Sequence, residues 1–203
     1  MPRKNVPDAR NRILQTAVKI FAEKSFEGSR IEEIAREANV PKSLIYYHFK
    51  SKEEILEVLT KNFIEEYTNL IKVAESDTHQ SKAEKLPERM SNVYYEFGQR
   101  NADLVRVMFI DSLKKSKEIP VLFKVVEALI EAEKKFHVGK SKQEYDVHER
   151  LMAEFFTSFM PNYAYVCFAD SWTKYFNIDR ERFDQLYMKI FMETHGEYHR
   201  KHE

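Results

Sequence analysis

Apolar residues recur at spacings of three and four through most of the chain, the mark of helices that bury one face. Ile13, Leu14, Ala17, Val18, Phe21 and Ala22 form one such stripe and predict a first helix from about Asp8 to Lys24. Pro7 stands just ahead of it, and Asp8 suits the positive end of a helix. Ser25-Phe26-Glu27-Gly28 breaks the pattern. Ser29-Arg30-Ile31-Glu32 then reads as a capping box, in which hydroxyl and carboxylate satisfy orphan amides reciprocally. It predicts a second helix with Ile31, Ile34, Ala35 and Ala38 inward, closed by Asn39 in the left-handed conformation. Pro41 fits a first helical position because no amide is needed there. A short third helix follows, from Lys42 to about Phe49. Ser51-Lys52-Glu53-Glu54 is a second capping box. It opens a long fourth helix with Ile55, Leu56, Val58, Leu59, Phe63, Ile64, Tyr67 and Ile71 on its apolar side.

Residues 75–85 are polar and read as a connection. Further helices are predicted at about 86–100, 102–115, 120–138, 143–176 and 179–200, the last capped by Asp179. Pro161 removes one backbone hydrogen bond from its helix and predicts a kink there. The chain has only four glycines and six prolines, the residues that turns consume, among abundant helix formers. The fold class is all-α.

Composition adds three constraints. Cys167 is the only cysteine, so no intramolecular disulfide forms and a reducing compartment is acceptable. Met1 to Arg12 carries no apolar signal segment. The longest stretch free of formal charge, Phe155 to Ala169, is shorter than the roughly 20 residues of a membrane helix and contains Pro161. No membrane span and a cytoplasmic location are the expectations. Lys plus Arg equal Asp plus Glu over the chain, 33 against 33, but the charge is unevenly placed. Residues 1–62 hold twelve basic and nine acidic residues, and Val40 to Lys52 holds no acid at all. Arg3, Lys4, Arg10 and Arg12 cluster near the start. Basic clusters of this kind suit a phosphate backbone, although charge alone equally fits a solvated surface.

The third helix decides between these. The short link Asn39-Val40-Pro41 forces a steep crossing of the second and third helices, as in a helix-turn-helix rather than an antiparallel hairpin. Ile45 and Phe49 can face inward, and Leu44 either way. Lys42, Ser43, Tyr46, Tyr47 and His48 cannot all be buried. Two tyrosines and a histidine beside lysine are a costly surface for a protein with no partner. In a DNA reader, Lys reaches guanine O6/N7 or phosphate, Tyr hydroxyls reach phosphates, and ring faces meet thymine methyls.

Ile34-Ala35-Arg36-Glu37-Ala38-Asn39-Val40 followed by Lys42-Ser43-Leu44-Ile45-Tyr46-Tyr47-His48-Phe49-Lys50-Ser51-Lys52-Glu53-Glu54-Ile55-Leu56 closely resembles the N-terminal signature of the tetracycline-repressor (TetR) family. Ala17 and Phe21 match that family's first helix. The resemblance spans residues of roughly 10 to 56. It implies a DNA-binding domain over 1–52 and a helical effector-binding and dimerisation domain over 53–203, joined by the long fourth helix. It also implies that Lys42 to His48 enter the major groove, that Lys52 contacts phosphate, and that Ser29 and Arg30 meet the DNA backbone at a helix N-terminus. Arg3 and Lys4 match basic residues that reach phosphate or minor groove. The chain departs from the family pattern at Ser25, where glycine is usual, at Pro41, where Ser or Thr is common, and at Ser43 and Leu44, where Gly or Thr is common. Serine in a left-handed backbone at position 25 costs about 1 kcal/mol.

In the C-terminal part, aromatic and methionine side chains surround the stretch from Met152 to Phe176 on all sides, so that helix must be covered on all sides. One face toward a pocket and another toward a partner subunit satisfies this, with the last helix (Phe183, Leu186, Tyr187, Ile190, Phe191) completing a four-helix seam. Candidate effector contacts are Met108, Met152, Phe156, Phe159, Tyr163, Phe168 and Trp172, with Asp170 as the polar group; ordinary core packing is the competing reading for each. An apolar or aromatic effector fits, and a cation held by ring faces also fits. His195 and His199 share a helix face at a metal-ligand spacing. They also sit among Arg200 and Lys201 at a helix end where cationic residues are favoured, and the expectation is no metal. No cofactor is expected, and no phosphate loop, nucleophile elbow or zinc-protease motif supports catalysis. The function expected is a ligand-responsive dimeric repressor on a double-stranded pseudo-palindromic operator. The rivals are an architectural DNA protein without an effector, and a helical ligand-binding protein or enzyme that does not bind DNA.

Overall fold

The computed structural model describes residues 8–75, 87, 95–114, 119–137 and 146–202. Arg3 and Lys4, the polar connection and most of the helix predicted at 86–100 lie outside the described residues. Every regular element among the described residues is helical. No helix among them is long and apolar enough to cross a membrane.

Helix α1 (Ala9–Gly28) starts as the sequence predicts, with the Asp8 carboxylate accepting the Arg10 amide. It runs four residues past the expected end, through a break at Ser25, where φ is 64° and ψ 163°. That region belongs almost wholly to glycine, and a serine held there stores strain of about 1–3 kcal/mol. Helix α2 (Ile31–Glu37) is capped by Arg30 without a side-chain bond, so the capping box expected at Ser29 does not form. The Ser29 hydroxyl is turned back to donate to the Phe26 carbonyl at 2.6 Å, closing α1 instead of opening α2. At the other end of α2 the expectation holds. Asn39 is left-handed at φ 52°. The amides of Asn39 and Val40 reach the carbonyls of Arg36 and Ala35 at 3.1 and 3.0 Å, a Schellman closure with Val40 buried over it.

Helix α3 (Lys42–His48) follows, with Pro41 one position earlier than expected, as the cap residue whose carbonyl accepts the Leu44 amide. Helix α4 (Lys52–Glu75) has the second capping box in slightly shifted form. The Glu54 amide donates to Ser51 Oγ at 3.3 Å, while the Glu54 carboxylate takes the amide of Lys50 rather than that of Ser51.

The remaining elements form the body: a turn α5 (Gly98–Arg100), α6 (Ala102–Lys114), α7 (Val121–His137), α8 (Val147–Ala153), α9 (Met160–Phe176), α10 (Arg180–Phe191) and α11 (Glu197–His202). Wide π-helical turns join α8 to α9 (Glu154–Phe159) and α10 to α11 (Met192–Gly196). Pro161 lies in the first turn after the former. The disturbance predicted at this proline thus takes the form of a widened turn just upstream. Asp179 caps α10 through the Arg182 amide at 3.2 Å, as expected. Asn177, left-handed at φ 50°, ends α9.

Head and body share one continuous apolar core. Helix α1 lies against α6, and Lys114 of α6 pairs with Glu27 at 3.1 Å. Val107, Ile110 and Asp111 of α6 meet Phe21, Ser25 and Phe26 there, so the strained bend in α1 is seated on the body. Helix α4 packs against α7 and makes the second connection.

Candidate nucleic-acid interface and effector cavity

Helix α3 has one inward face and one bare face. Ile45 is fully buried, Phe49 nearly so, and Leu44 is half-buried against the same core. Tyr47 is 80% exposed and Tyr46 50%, so neither ring contributes much to the interior. Ser43 is exposed and His48 partly so, with the His48 ring edge-on to Tyr47 at 5.1 Å. Lys42 lies over the Tyr46 ring at 5.6 Å and is ion-paired with Glu32 of α2. The bond to Glu32 raises the Lys42 pKa and holds the Glu32 carboxyl below its ordinary value. Lys42 therefore enters any DNA complex by exchanging one anion for another.

The flanking residues divide. Arg30 is exposed at the start of α2. Ser29 is buried, its hydroxyl already used within the head. Lys52 is only partly exposed. Its ammonium donates to the Phe26 and Ser29 carbonyls at 2.6 and 3.1 Å and sits 4.4 Å from the centre of the Phe26 ring. These contacts tie α4 to the end of α1, which the sequence pattern gave no sign of, because the partner carbonyls lie more than twenty residues upstream.

The expected effector residues also separate into two sets. Met108 is buried in the core. Phe159 and Tyr163 line an internal cavity of about 20 Å³, together with Phe63 and Tyr67 of α4 and Phe97. Gly98, Val105, Asn162 and Val166 complete its wall. A Cβ at Gly98 would stand 2.9 Å from the Val166 Cγ2 methyl, so any other residue here has to displace Val166. The Asn162 amide nitrogen and the Tyr163 hydroxyl are buried without a hydrogen-bond partner among the described residues. Tyr187 holds the Asn162 carbonyl at 3.0 Å. Burial pushes the Tyr163 pKa upward, so the phenol stays protonated and able to donate. Asn162 had no signal in the sequence beyond standing among aromatics.

Met152, Phe156, Phe168 and Trp172 are exposed instead, as are Tyr175 and Phe176. Asp170 is at the surface and pairs with Arg180 at 2.6 Å, away from the cavity. His195 and His199, expected at a helix end among Arg200 and Lys201, are buried in the interior instead, with exposures of 0% and 1%.

The described residues thus form a helix-turn-helix head with an unburied aromatic third helix, carried on a helical body with an internal cavity. Residues 13–59 match the family described as bacterial regulatory proteins, tetR family. The chain is 31% identical over 72 residues to the biofilm operon icaADBC HTH-type negative transcriptional regulator IcaR of Staphylococcus aureus (strain Newman). That stretch covers 36% of this chain and 39% of IcaR, so the chain spans about two fifths of the curated relative it matches. Among solved structures, the fatty acid degradation regulator FadR from Bacillus halodurans superposes with a TM-score of 0.60 at 18% identity, over 90% of this chain and 97% of that one. A TetR-like transcriptional regulator from Rhodococcus sp. RHA1 gives 0.56 at 16% identity, over 94% and 96%. Residues 13–59 are thus similar to the N-terminal domain of the tetR family, and the fold of the described residues is similar to that of these solved regulators.

Proposed function

We propose that the chain is a ligand-responsive repressor that binds a pseudo-palindromic operator as a homodimer, with residues 1–52 as the DNA-binding domain and 53–203 as the effector and dimer domain. The observation that carries the DNA half is the bare face of α3: Tyr46, Tyr47, Ser43 and Lys42 are presented outward on a helix held rigidly by Ile45 and Phe49. Two copies related by a two-fold axis place these helices in successive major grooves, about 34–36 Å apart or modestly more. Arg30 and the N-terminal basic residues add phosphate contacts; Ser29 and Lys52 act indirectly, by fixing how α1, α2 and α4 meet.

Dimerisation is supported by the exposed aromatic face of α9. Phe168, Trp172, Tyr175 and Phe176 leave exposed apolar surface that a second copy of the chain would cover, and Ile190 of α10 is exposed too. The effector is an apolar or aromatic molecule with one oxygen-bearing end. The cavity wall is mostly aromatic, and its two unsatisfied donors, Asn162 and Tyr163, suit a carbonyl or carboxylate oxygen. The fatty acid regulator among the structural neighbours makes an acyl chain the first class to try. A molecule of that size needs more room than about 20 Å³, so its binding has to push the walls apart. Val105 of α6 lines the cavity, and the same helix carries Val107, Ile110 and Lys114 to the bend of α1. Effector binding thus moves α6 and α4 together and reorients the heads, provided that the ligand prefers the state that cannot hold DNA.

Fluorescence anisotropy with DNA from upstream of the chain's own gene, at one fixed salt concentration, tests this reading. Saturable binding that a fatty acid or aromatic acid reverses is the expected result. Equal affinity for that DNA and for an unrelated duplex would show that no operator is read.

A further inference from the structure

Beneath the C-terminal helices lies a cluster that the regulator reading does not use. Glu154, His195 and His199 converge in the interior, each no more than 1% exposed, and their ligand atoms lie within 4.8 Å of one another. The two Nε2 atoms are 3.0 Å apart. They stand 3.6 and 3.7 Å from the Glu154 carboxylate oxygens. Two ligands on one tetrahedral zinc ion are separated by about 3.4 Å. Each printed spacing departs from that value by only a few tenths of an ångström, with a different carboxylate oxygen facing each imidazole.

The protons are ordered. Thr157 Oγ1 donates to the Ala153 carbonyl at 2.7 Å, so it accepts from His195 Nδ1 at 2.9 Å. That leaves the His195 Nε2 lone pair facing the cluster. Metal-bound imidazoles have the same support, with the far N–H fixed and the near nitrogen turned toward the ion. His199 is held the other way. Arg150 can only donate, so His199 Nδ1 accepts from it at 3.2 Å, and the His199 proton lies on Nε2, pointing at His195. Arg150 also pairs with Glu154 at 2.7 Å and lies over the Tyr198 ring at 5.8 Å. Both wide π-helical turns meet at this cluster: Glu154 opens one and His195 lies in the other. Such turns concentrate at functional sites.

We propose that Glu154, His195 and His199 form a binding site for a zinc-class divalent cation, and that Arg150 is the resident cation with which the metal competes. To bind the ion, His199 must move its proton from Nε2 to Nδ1. Nδ1–H then faces the Arg150 guanidinium, donor against donor, so Arg150 has to leave His199. Arg150 also opposes the ion by charge, since guanidinium and carboxylate are already balanced in the interior. The metal-bound and arginine-bound forms thus exclude one another. Open coordination positions beyond the three protein ligands go to water.

The test uses the full chain, stripped with chelator and dialysed, and titrated with zinc chloride and with cobalt chloride. One zinc per chain is expected, with a rise in Tm and the visible absorption of tetrahedral cobalt. Glu154→Gln and His199→Gln, which keep side-chain shape, should each weaken zinc binding by at least about tenfold. Arg150→Met should tighten it, an outcome that a merely structural polar network does not produce. Circular dichroism checks that each variant is folded, and the cobalt spectrum of the unaltered chain stands without any variant. The proposal is overturned if neither the unaltered chain nor Arg150→Met takes up zinc. It is equally overturned if zinc binds with unchanged affinity in Glu154→Gln and His199→Gln, which would place the ion elsewhere, as at the surface pair His202 and Glu149, 3.1 Å apart. Operator binding is not a readout here, so this outcome and that of the regulator reading are separate.

Discussion

The head and the body of this molecule solve opposite problems. In the head, the apolar side chains of α1 to α3 are buried and the polar surface is left over: Tyr47 is 80% exposed while Ile45, two residues earlier on the same helix, is fully buried. In the body, polar groups are taken inside, as at Arg150, Glu154, His195 and His199, while aromatic rings such as Trp172 and Phe176 are left outside. On the proposed function, the head is a finished surface for a polyanion. The body looks inverted because part of its surface is, on our reading, the interior of a dimer.

Breaking the body's aromatic face should have the largest effect. Trp172→Glu combined with Phe176→Glu is expected to cost about 2–4 kcal/mol of subunit association or more, as for truncated interface anchors. Sedimentation should show a monomer, and a dimer of unchanged affinity would remove α9 from the interface. Next is the bare face of α3. Tyr47→Ala should weaken operator binding by about 1–3 kcal/mol. Because the ring is 80% exposed, Tm should stay where it was; a large loss of Tm would mean that the ring packs in solution. Ser25→Gly sharpens the contrast from within the head. Relieving a φ of 64° should add about 1 kcal/mol, read as an increase in Tm of roughly 2–4 °C. Gly98→Ala does the reverse in the body, with an expected loss of about 1 kcal/mol as Val166 is displaced. The smallest effect belongs to Glu32→Gln, which releases Lys42 and removes an acid near the phosphates. Operator affinity should rise by about two- to threefold at low salt and converge with the unaltered protein at high salt.

The head was the more legible region because its signals are local. Asp8, Asn39 and Ser51 each act on amides or carbonyls within a few residues, and all three do in the structure what their positions in the sequence suggest. The capping box at Ser29 does not form for the opposite reason: its hydroxyl, like the Lys52 ammonium, satisfies a carbonyl at the α1 terminus, a tertiary demand that no local pattern shows. In the body the positions of the helices were readable, but not which of their faces turns inward. The two histidines show why. Phe183, Tyr187, Phe191, His195 and His199 recur every fourth residue, and their rings form one continuous row with centroid spacings from 6.4 down to 4.5 Å. A row of fours drifts around an ordinary helix, whose period is 3.6. The wide turn at Met192–Gly196 takes up that drift and keeps the histidines beneath the aromatics. The spacing was visible in the sequence, whereas Glu154 and Arg150, the groups that make burial of the imidazoles tolerable, lie some forty residues away.

The tightness of the cavity has a kinetic consequence. With space for about one water between Phe63, Phe159 and Tyr163, an effector of the proposed class has no room until these walls part. Uptake should then be paced by spontaneous breathing of α4 and α6, and the observed association rate should level off as ligand concentration rises, at the frequency with which the protein opens by itself. On the proposed function, such a protein would answer slowly to a brief pulse of its signal and fully to a lasting one.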